Sequence, residues 1–132
     1  MTKEQGLQLS EKKKVLIVED DEDVRDPLVM MLNTLGYETH EAEDSLAALI
    51  ILEDIPNIDL LFTDVVLPGS MNGKELAQVA RRRYRTLNIL LTSGYPAKDL
   101  PEGHELDEEF YLLAKPYTLK ELTERMKVAM EE

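Results

Sequence analysis

The chain has 132 residues, and its 27 acidic against 15 basic side chains give a formal net charge of -12. This length suits a single domain, and a content of 43% hydrophobic and 32% charged residues is typical of globular proteins. The acidity argues against nucleic-acid binding, which rewards clustered Lys and Arg. The absence of cysteine excludes disulfides and thiolate chemistry and fits a cytoplasmic location. No apolar run is long enough for membrane insertion.

The first half of the chain alternates apolar runs with segments of helical period. A buried strand is predicted over 15–18, and apolar residues then recur at helical spacing until Gly36 ends the first helix. The mixed segment 37–42 suits an edge strand, and 45–54 reads as the second helix. Residues 58–63 form the next apolar run, which predicts a third strand.

The second half continues this alternation. Asn72, followed three residues later by Glu75, is a variant of the capping box and opens the third helix. The apolar runs at 88–93 and 110–114 predict the fourth and fifth strands, and Thr118 starts a last helix with a second capping box. Prolines and a glycine between those two strands predict a fourth helix that is short or irregular. The predicted fold is therefore (βα)5.

Strands that lack polar alternation are covered on both faces, which happens when helices flank a parallel sheet. Right-handed crossovers then give an α/β, doubly wound open sheet. We expect residues 1–13 to be a flexible N-terminal tail and residues 14–132 to form the domain. Ligands of such sheets bind beyond the carboxyl ends of the strands.

Charged and hydroxyl side chains mark the ends of the predicted strands. Glu19 and Asp20 follow the first strand, Asp64 the third, Thr92 lies near the end of the fourth, and Lys115 follows the fifth. Carboxylates that meet at one edge repel each other, and a bound cation relieves the repulsion. An all-oxygen cluster suits Mg²⁺. A divalent ion and an ammonium facing a carboxylate predict phosphoryl chemistry, in which the carboxylate itself can be the nucleophile.

Four motifs in this order resemble the receiver domain of two-component response regulators. They are VLIVEDD, DLLFTDVVLPG, LLTSG and LAKPYT, and the resemblance covers residues 14 to 130. It implies a flavodoxin-like fold with strand order 2-1-3-4-5, a magnesium ion, and phosphoryl donation by a histidine kinase or a histidine phosphotransfer protein. A module of this kind is not an enzyme in the ordinary sense, because it catalyses only its own phosphorylation and dephosphorylation.

The resemblance also implies a role for individual residues at the acidic edge. Asp64 corresponds to the phosphoacceptor and is also a metal ligand. Asp20 corresponds to a direct Mg²⁺ ligand, Glu19 to a ligand through water, and the backbone carbonyl of Val66 to a further ligand.

Further roles follow from the same resemblance on the fourth and fifth strands. Thr92 is expected to turn its hydroxyl to the phosphoryl oxygen, and Lys115 is expected to pair with that oxygen. The bond from Lys115 to Pro116 is expected to be cis. The TSGYP stretch is similar to a receiver subgroup common in hybrid sensor kinases. We expect the loop that begins at Ser93 and Tyr95 to act as the switch that reports phosphorylation.

The acidic run after the first strand is ambiguous in register, and the fifth strand departs from the family's usual sequence. The run from Glu19 through Asp21 permits two registers, and we place the pair at Glu19 and Asp20 because they directly follow the apolar strand. The family usually has an aromatic residue three positions before the lysine, where this chain has Leu112. Tyr111 is adjacent but points to the other face of its strand, because strand side chains alternate.

Several functional alternatives remain open from the sequence. The chain can be a single-domain regulator, a phosphorelay intermediate, or a receiver module excised from a hybrid sensor histidine kinase, and its output partner is not specified. A rival of another class is an aspartate-nucleophile phosphatase. That family usually has a second acid two residues after the nucleophile, as the general acid. Val66 occupies this place and speaks against the phosphatase.

Overall fold

The computed structural model describes residues 12–107 and 109–131, so most of the predicted N-terminal tail lies outside the described residues. None of the described helices is long and apolar enough to cross a bilayer. The strands and α-helices follow one another along the chain in this order: β1 (Lys14–Val18), α1 (Glu22–Thr34), β2 (Glu38–Ala42), α2 (Ser45–Asp54), β3 (Leu60–Asp64), α3 (Gly73–Arg83), β4 (Asn88–Ser93), β5 (Tyr111–Ala114) and α4 (Leu119–Glu131).

The five strands form one parallel sheet in the order β2-β1-β3-β4-β5, which confirms the predicted topology. The strand register aligns the residues at the carboxyl edge. Val18 of β1 lies opposite Thr63 of β3, and Asp64 lies opposite Thr92 of β4. The strand order changes direction between β1 and β3, which makes this position the topological switch point of the sheet. Folds of this class bind ligands beyond the carboxyl ends of the strands at that point.

Helices cover both faces of the sheet, which explains why the strands are apolar without alternation. In β1, Leu16 and Val18 pack on the face covered by α2 and α3, whereas Val15 and Ile17 pack on the face covered by α1 and α4. All four side chains are fully or almost fully buried. Burying one such side chain stabilises the fold by about 1.5–3 kcal/mol, so a polar residue on either face would be costly.

The connection between β4 and β5 contains no α-helix in the part of it that the structure describes. Its regular structure is one 3₁₀ turn at Ala97–Asp99, so the expectation of a short or irregular helix is confirmed. Pro96 precedes this turn and Pro101 follows it closely, and neither can donate a backbone hydrogen bond. Leu106 and the buried Phe110 nevertheless pack against the core, so the loop is anchored by apolar side chains.

Candidate functional site

Three carboxylates meet beyond the carboxyl ends of β1 and β3. Glu19, Asp20 and Asp64 each place one oxygen within 4.8 Å of the others. Glu19 and Asp64 are buried, with 4% and 8% of their surfaces exposed, whereas Asp20 is exposed. The structure thus brings together the three acids that the sequence places at the ends of two strands, β1 and β3.

Lys115 supplies the positive charge of this cluster. Its Nζ donates hydrogen bonds to Glu19 Oε1 at 3.0 Å and to Asp64 Oδ2 at 3.2 Å. Burial acts to lower the pKa of Lys115, but the charge of Asp64 and the hydrogen bond to Glu19 outweigh it, and the pKa lies above its ordinary value. The lysine therefore remains charged at neutral pH and bridges the first and third strand ends.

The contacts of Asp21 distinguish the two possible registers of the acid pair. Asp21 is the N-cap of α1, and its carboxylate accepts a hydrogen bond from the backbone N of Asp23 at 2.9 Å. Its own backbone N donates to Glu19 Oε2 at 3.1 Å. The carboxylate of Asp21 is thus used to begin the helix, and the carboxylates that meet Asp64 are those of Glu19 and Asp20.

The electrostatics of Asp20 show that negative charge accumulates here. Partial burial raises the pKa of Asp20, and hydrogen bonding and charge repulsion from Glu19 raise it further, against a lowering by the backbone N–H of Asp20. Such a cluster suits a hard divalent cation, because all its donors are oxygens and its charge needs neutralising. The residues present therefore fit Mg²⁺.

Thr92 lies beside Asp64 in the sheet register, but its hydroxyl is engaged elsewhere. Its Oγ1 donates a buried hydrogen bond of 2.8 Å to the backbone carbonyl of Leu113 in β5. The next residue, Ser93, is buried, and its hydroxyl accepts a hydrogen bond from the backbone N of Tyr95 at 2.9 Å. The ring of Tyr95 is exposed. Both hydroxyls thus fasten the end of β4, one to β5 and the other to the start of the loop.

The remaining predicted site residues lie just beyond β3 and at the end of β5. Val66 is half-buried in the turn that follows β3, and the bond between Lys115 and Pro116 is cis. Leu112 packs against the core, whereas Tyr111 is exposed with Arg125 6.0 Å from the centre of its ring. The inward position of β5 is therefore aliphatic, as the sequence indicates.

Gly73 is a residue to which the sequence reasoning gave no role. It begins α3, and its backbone N donates to the carbonyl of Val65 at 2.7 Å. A Cβ built on Gly73 would overlap the carbonyl oxygen of Asp64 and lie 2.7 Å from its carbonyl carbon. The first turn of α3 thus presses against the backbone of Asp64, which only glycine permits. The signal in the sequence was the glycine directly after the N-cap Asn72.

Arg25 is a second residue whose contacts at the site the sequence did not predict. Its side chain reaches back from α1 to the end of β1, where it donates to the backbone carbonyl of Glu19 at 2.7 Å. No local sequence pattern signals this contact, since it depends on how α1 packs beside the sheet.

Comparison with known proteins agrees with this geometry. The sequence model described as the response regulator receiver domain matches residues 15–127. The sensor kinase CckA of Brucella abortus (strain 2308) is 33% identical over 130 residues, which is 98% of this chain and 14% of that protein. The response regulator receiver protein CpdR of the same organism is 33% identical over 120 residues, which is 89% of this chain and 98% of that protein.

A solved structure of a receiver domain is also similar to this chain. The crystal structure of the receiver domain from the hybrid histidine kinase CckA is 36% identical, with a TM-score of 0.73, and the match covers 89% of this chain and 98% of that one. The chain itself spans only a small part of the CckA relative. The family match over most of the chain, and the likeness to CpdR over almost all of its length, carry the assignment. The chain belongs to the response regulator receiver domain family, whose members are receiver modules of two-component signalling.

Proposed function

We propose that Asp64 accepts a phosphoryl group from a phosphohistidine of a histidine kinase or a histidine phosphotransfer protein. One observation carries this proposal: the ammonium of Lys115 lies 3.2 Å from Asp64 Oδ2, inside a cluster of three carboxylates. Phosphoryl transfer mostly needs a positioned nucleophile and positive charge beside the transferred group. A carboxylate can serve as that nucleophile, and the product is an acyl phosphate.

In the proposed reaction, an oxygen of Asp64 attacks the phosphorus of the phosphohistidine. A P–O bond forms while the P–N bond breaks, and the imidazole nitrogen of the donor leaves with the electron pair. Lys115 turns from the carboxylate to an oxygen of the transferred group and keeps its second contact, to Glu19. Water later attacks the phosphorus of the acyl phosphate, the P–O bond to Asp64 breaks, and Asp64 returns to its carboxylate form as inorganic phosphate leaves.

The proposed metal is Mg²⁺, held by Asp20 and Asp64, by Glu19 through water, and by the backbone carbonyl of Val66. When bound, the ion neutralises negative charge on the phosphoryl oxygens. The protein's contribution is to hold its carboxylates close together despite their repulsion. Glu19 is fixed at both oxygens, by Lys115 and by the backbone N of Asp21.

The proposed response begins with the hydroxyl of Thr92. In this mechanism, Thr92 gives up the carbonyl of Leu113 and donates to a phosphoryl oxygen instead. The loss of this bond loosens the end of β4, where Ser93 holds the first turn of the loop through the backbone N of Tyr95. The loop after Tyr95 then changes its surface, which is the order-disorder type of switch.

We place this activity in a domain of residues 14–132 in the cytoplasm, acting on its own aspartate without substrate turnover. The likeness to CckA supports a module of a hybrid kinase, and the likeness to CpdR supports a stand-alone regulator. The phosphatase remains the rival proposal of another class, and Val66 lacks the acid that it requires.

The test uses acetyl phosphate as a small phosphodonor, with and without Mg²⁺, and intact mass spectrometry. We expect one phosphoryl adduct that requires Mg²⁺ and is absent from Asp64→Asn. The matched control is Asp44→Asn, which removes a carboxylate from the N-cap of α2, where asparagine caps equally well. An adduct in Asp64→Asn would contradict the proposal. Turnover of p-nitrophenyl phosphate by the unmodified protein would support the phosphatase.

A further inference from the structure

Arg25 connects the acid pair to the edge strand of the sheet. From α1, its Nη1 donates to the backbone carbonyl of Glu19 at 2.7 Å, and its Nε donates to the carboxylate of Glu41 in β2 at 3.1 Å. Only 16% of the Arg25 side chain is exposed. One guanidinium fork thus joins α1, the end of β1 and β2, and it does so at the peptide that precedes Asp20.

The geometry of the peptide bond extends this contact to Asp20. The carbonyl of Glu19 and the N–H of Asp20 belong to one planar unit, so fixing the carbonyl fixes the orientation of the Asp20 amide. The other peptide group of Glu19 is also fixed, because its N–H donates to the carbonyl of Ala42 at 3.1 Å. Arg25 therefore completes the anchoring of the chain at the point where it leaves the sheet.

Asp20 needs this support more than its neighbours do. Glu19 and Asp64 are buried, and both accept hydrogen bonds from Lys115, whereas Asp20 is exposed. An exposed carboxylate on a short side chain is directed by its own backbone, so an unfixed peptide before it would let the acid move away from the other two.

The charge of Arg25 is largely offset by its partner. The carboxylate of Glu41 pairs with the guanidinium, so the pair adds little net charge beside Glu19 and Asp20. We therefore expect Arg25 to act by positioning its partners rather than by its charge, because a rigid guanidinium with two directed donors can hold a carbonyl and a carboxylate at once. The side chain of lysine ends in a single ammonium nitrogen and cannot hold both groups in this fixed geometry.

We propose that Arg25 is a positioning residue for the metal site: it holds the Glu19 carbonyl so that the Asp20 carboxylate stays beside Glu19 and Asp64. The inference deepens the proposed function and rests on it where Mg²⁺ is concerned. Groups that orient metal ligands typically change metal affinity by about 10- to 100-fold when removed.

The experiment uses the full chain as wild type, Arg25→Ala and Arg25→Lys, with Arg82→Ala as the matched control. Arg82 is an exposed arginine of α3, so this control removes the same charge away from the acids. Titration calorimetry measures the Kd for Mg²⁺. Nuclear magnetic relaxation measures the order parameter of the Asp20 amide in metal-free protein. Circular dichroism establishes that each variant is folded at the temperature used.

We expect Arg25→Ala to weaken Mg²⁺ binding about tenfold. The order parameter of its Asp20 amide should fall from about 0.85 toward 0.6. Arg25→Lys should recover only part of both, and Arg82→Ala should match wild type. Wild-type affinity or an equally ordered Asp20 amide in folded Arg25→Ala would overturn the inference, and so would full recovery by lysine. If wild type binds no Mg²⁺, the proposed function fails, and the order parameter still decides the role of Arg25.

Discussion

Neutralising Asp20 should stabilise the metal-free protein, although it removes a proposed metal ligand. The oxygens of Glu19, Asp20 and Asp64 lie within 4.8 Å of one another. At that separation two unit charges repel by about 0.9 kcal/mol in water and by about 3.5 kcal/mol at an effective dielectric constant of 20. Asp20 is exposed, so the lower value applies to each of its two repulsions. Screening by salt reduces their sum, which leaves about 1 kcal/mol.

We therefore expect Asp20→Asn to raise the free energy of unfolding by about 1 kcal/mol, which raises Tm by about 3–5 °C for a chain of this size. Urea and thermal unfolding in the presence of a chelator measure both quantities. Mg²⁺ at 100 times its Kd should stabilise wild type by about 2.7 kcal/mol and should stabilise the variant much less. The order of stability should therefore reverse when Mg²⁺ is added.

The pH dependence of this difference has a definite sign. The folded-state pKa of Asp20 lies above its ordinary value of 3.8, so the protonated form is the one that the fold favours. The charged form of Asp20 lowers the free energy of unfolding. This loss is full at pH values above the raised pKa and disappears as the pH falls toward 3.8. The advantage of Asp20→Asn over wild type should therefore be full at neutral pH and fade on acidification.

The matched control is Asp21→Asn, which removes the same charge one position along the chain. Asn and Asp are equally good N-caps, so the loss is limited to a few tenths of a kcal/mol from the helix dipole. This variant should keep its response to Mg²⁺. A metal-free Asp20→Asn that is less stable than wild type would refute the repulsion argument. A loss of the Mg²⁺ response in Asp21→Asn alone would show that the register of the acid pair is wrong.

Two further substitutions test the backbone and hydroxyl contacts of the site. Gly73→Ala places a Cβ against the backbone of Asp64, so we expect a loss of about 1–3 kcal/mol in urea unfolding and slower adduct formation by intact mass, and an unchanged rate would contradict the close contact. Thr92→Val removes the donor to the Leu113 carbonyl, so we expect a loss of about 1 kcal/mol, with Thr92→Ser as the control that keeps the donor. Equal stability of the valine and serine variants would show that this hydrogen bond contributes nothing.

The sequence predicted that three acids and Lys115 lie at one edge of the sheet, and the structure brings them together there, because strand ends are determined by the hydrophobic pattern. The apolar runs that end at Glu19 and Asp64 had to be buried strands, and the parallel topology then required their ends to share one edge. The direction of a side chain is a different matter. The pattern placed Thr92 beside Asp64, but the hydrogen bond of its hydroxyl to Leu113 depends on a rotamer, which no spacing in the sequence determines.

Contacts between segments that are distant in the chain could not be predicted from the sequence either. Arg25 meets Glu41, 16 residues away, only because α1 packs over the sheet beside β2. Gly73 presses on Asp64 because the turn after β3 returns α3 to the end of its own strand. Such contacts follow from the exact path of loops, whereas the hydrophobic pattern constrains only which faces are buried.

The link between β4 and β5 bears on how the proposed switch works without an inward-facing aromatic ring. Besides the strand pairing that extends to Ser93 and Ala114, the hydroxyl of Thr92 donates to the carbonyl of Leu113, and the backbone N of Lys115 donates to the carbonyl of Ser93 at 2.8 Å. Both residues that are proposed to meet the phosphoryl group, Thr92 and Lys115, therefore take part in this link. When the hydroxyl of Thr92 turns toward the phosphoryl group on Asp64, it leaves the carbonyl of Leu113 directly where the irregular loop begins, and a rotating ring at Leu112 is not required.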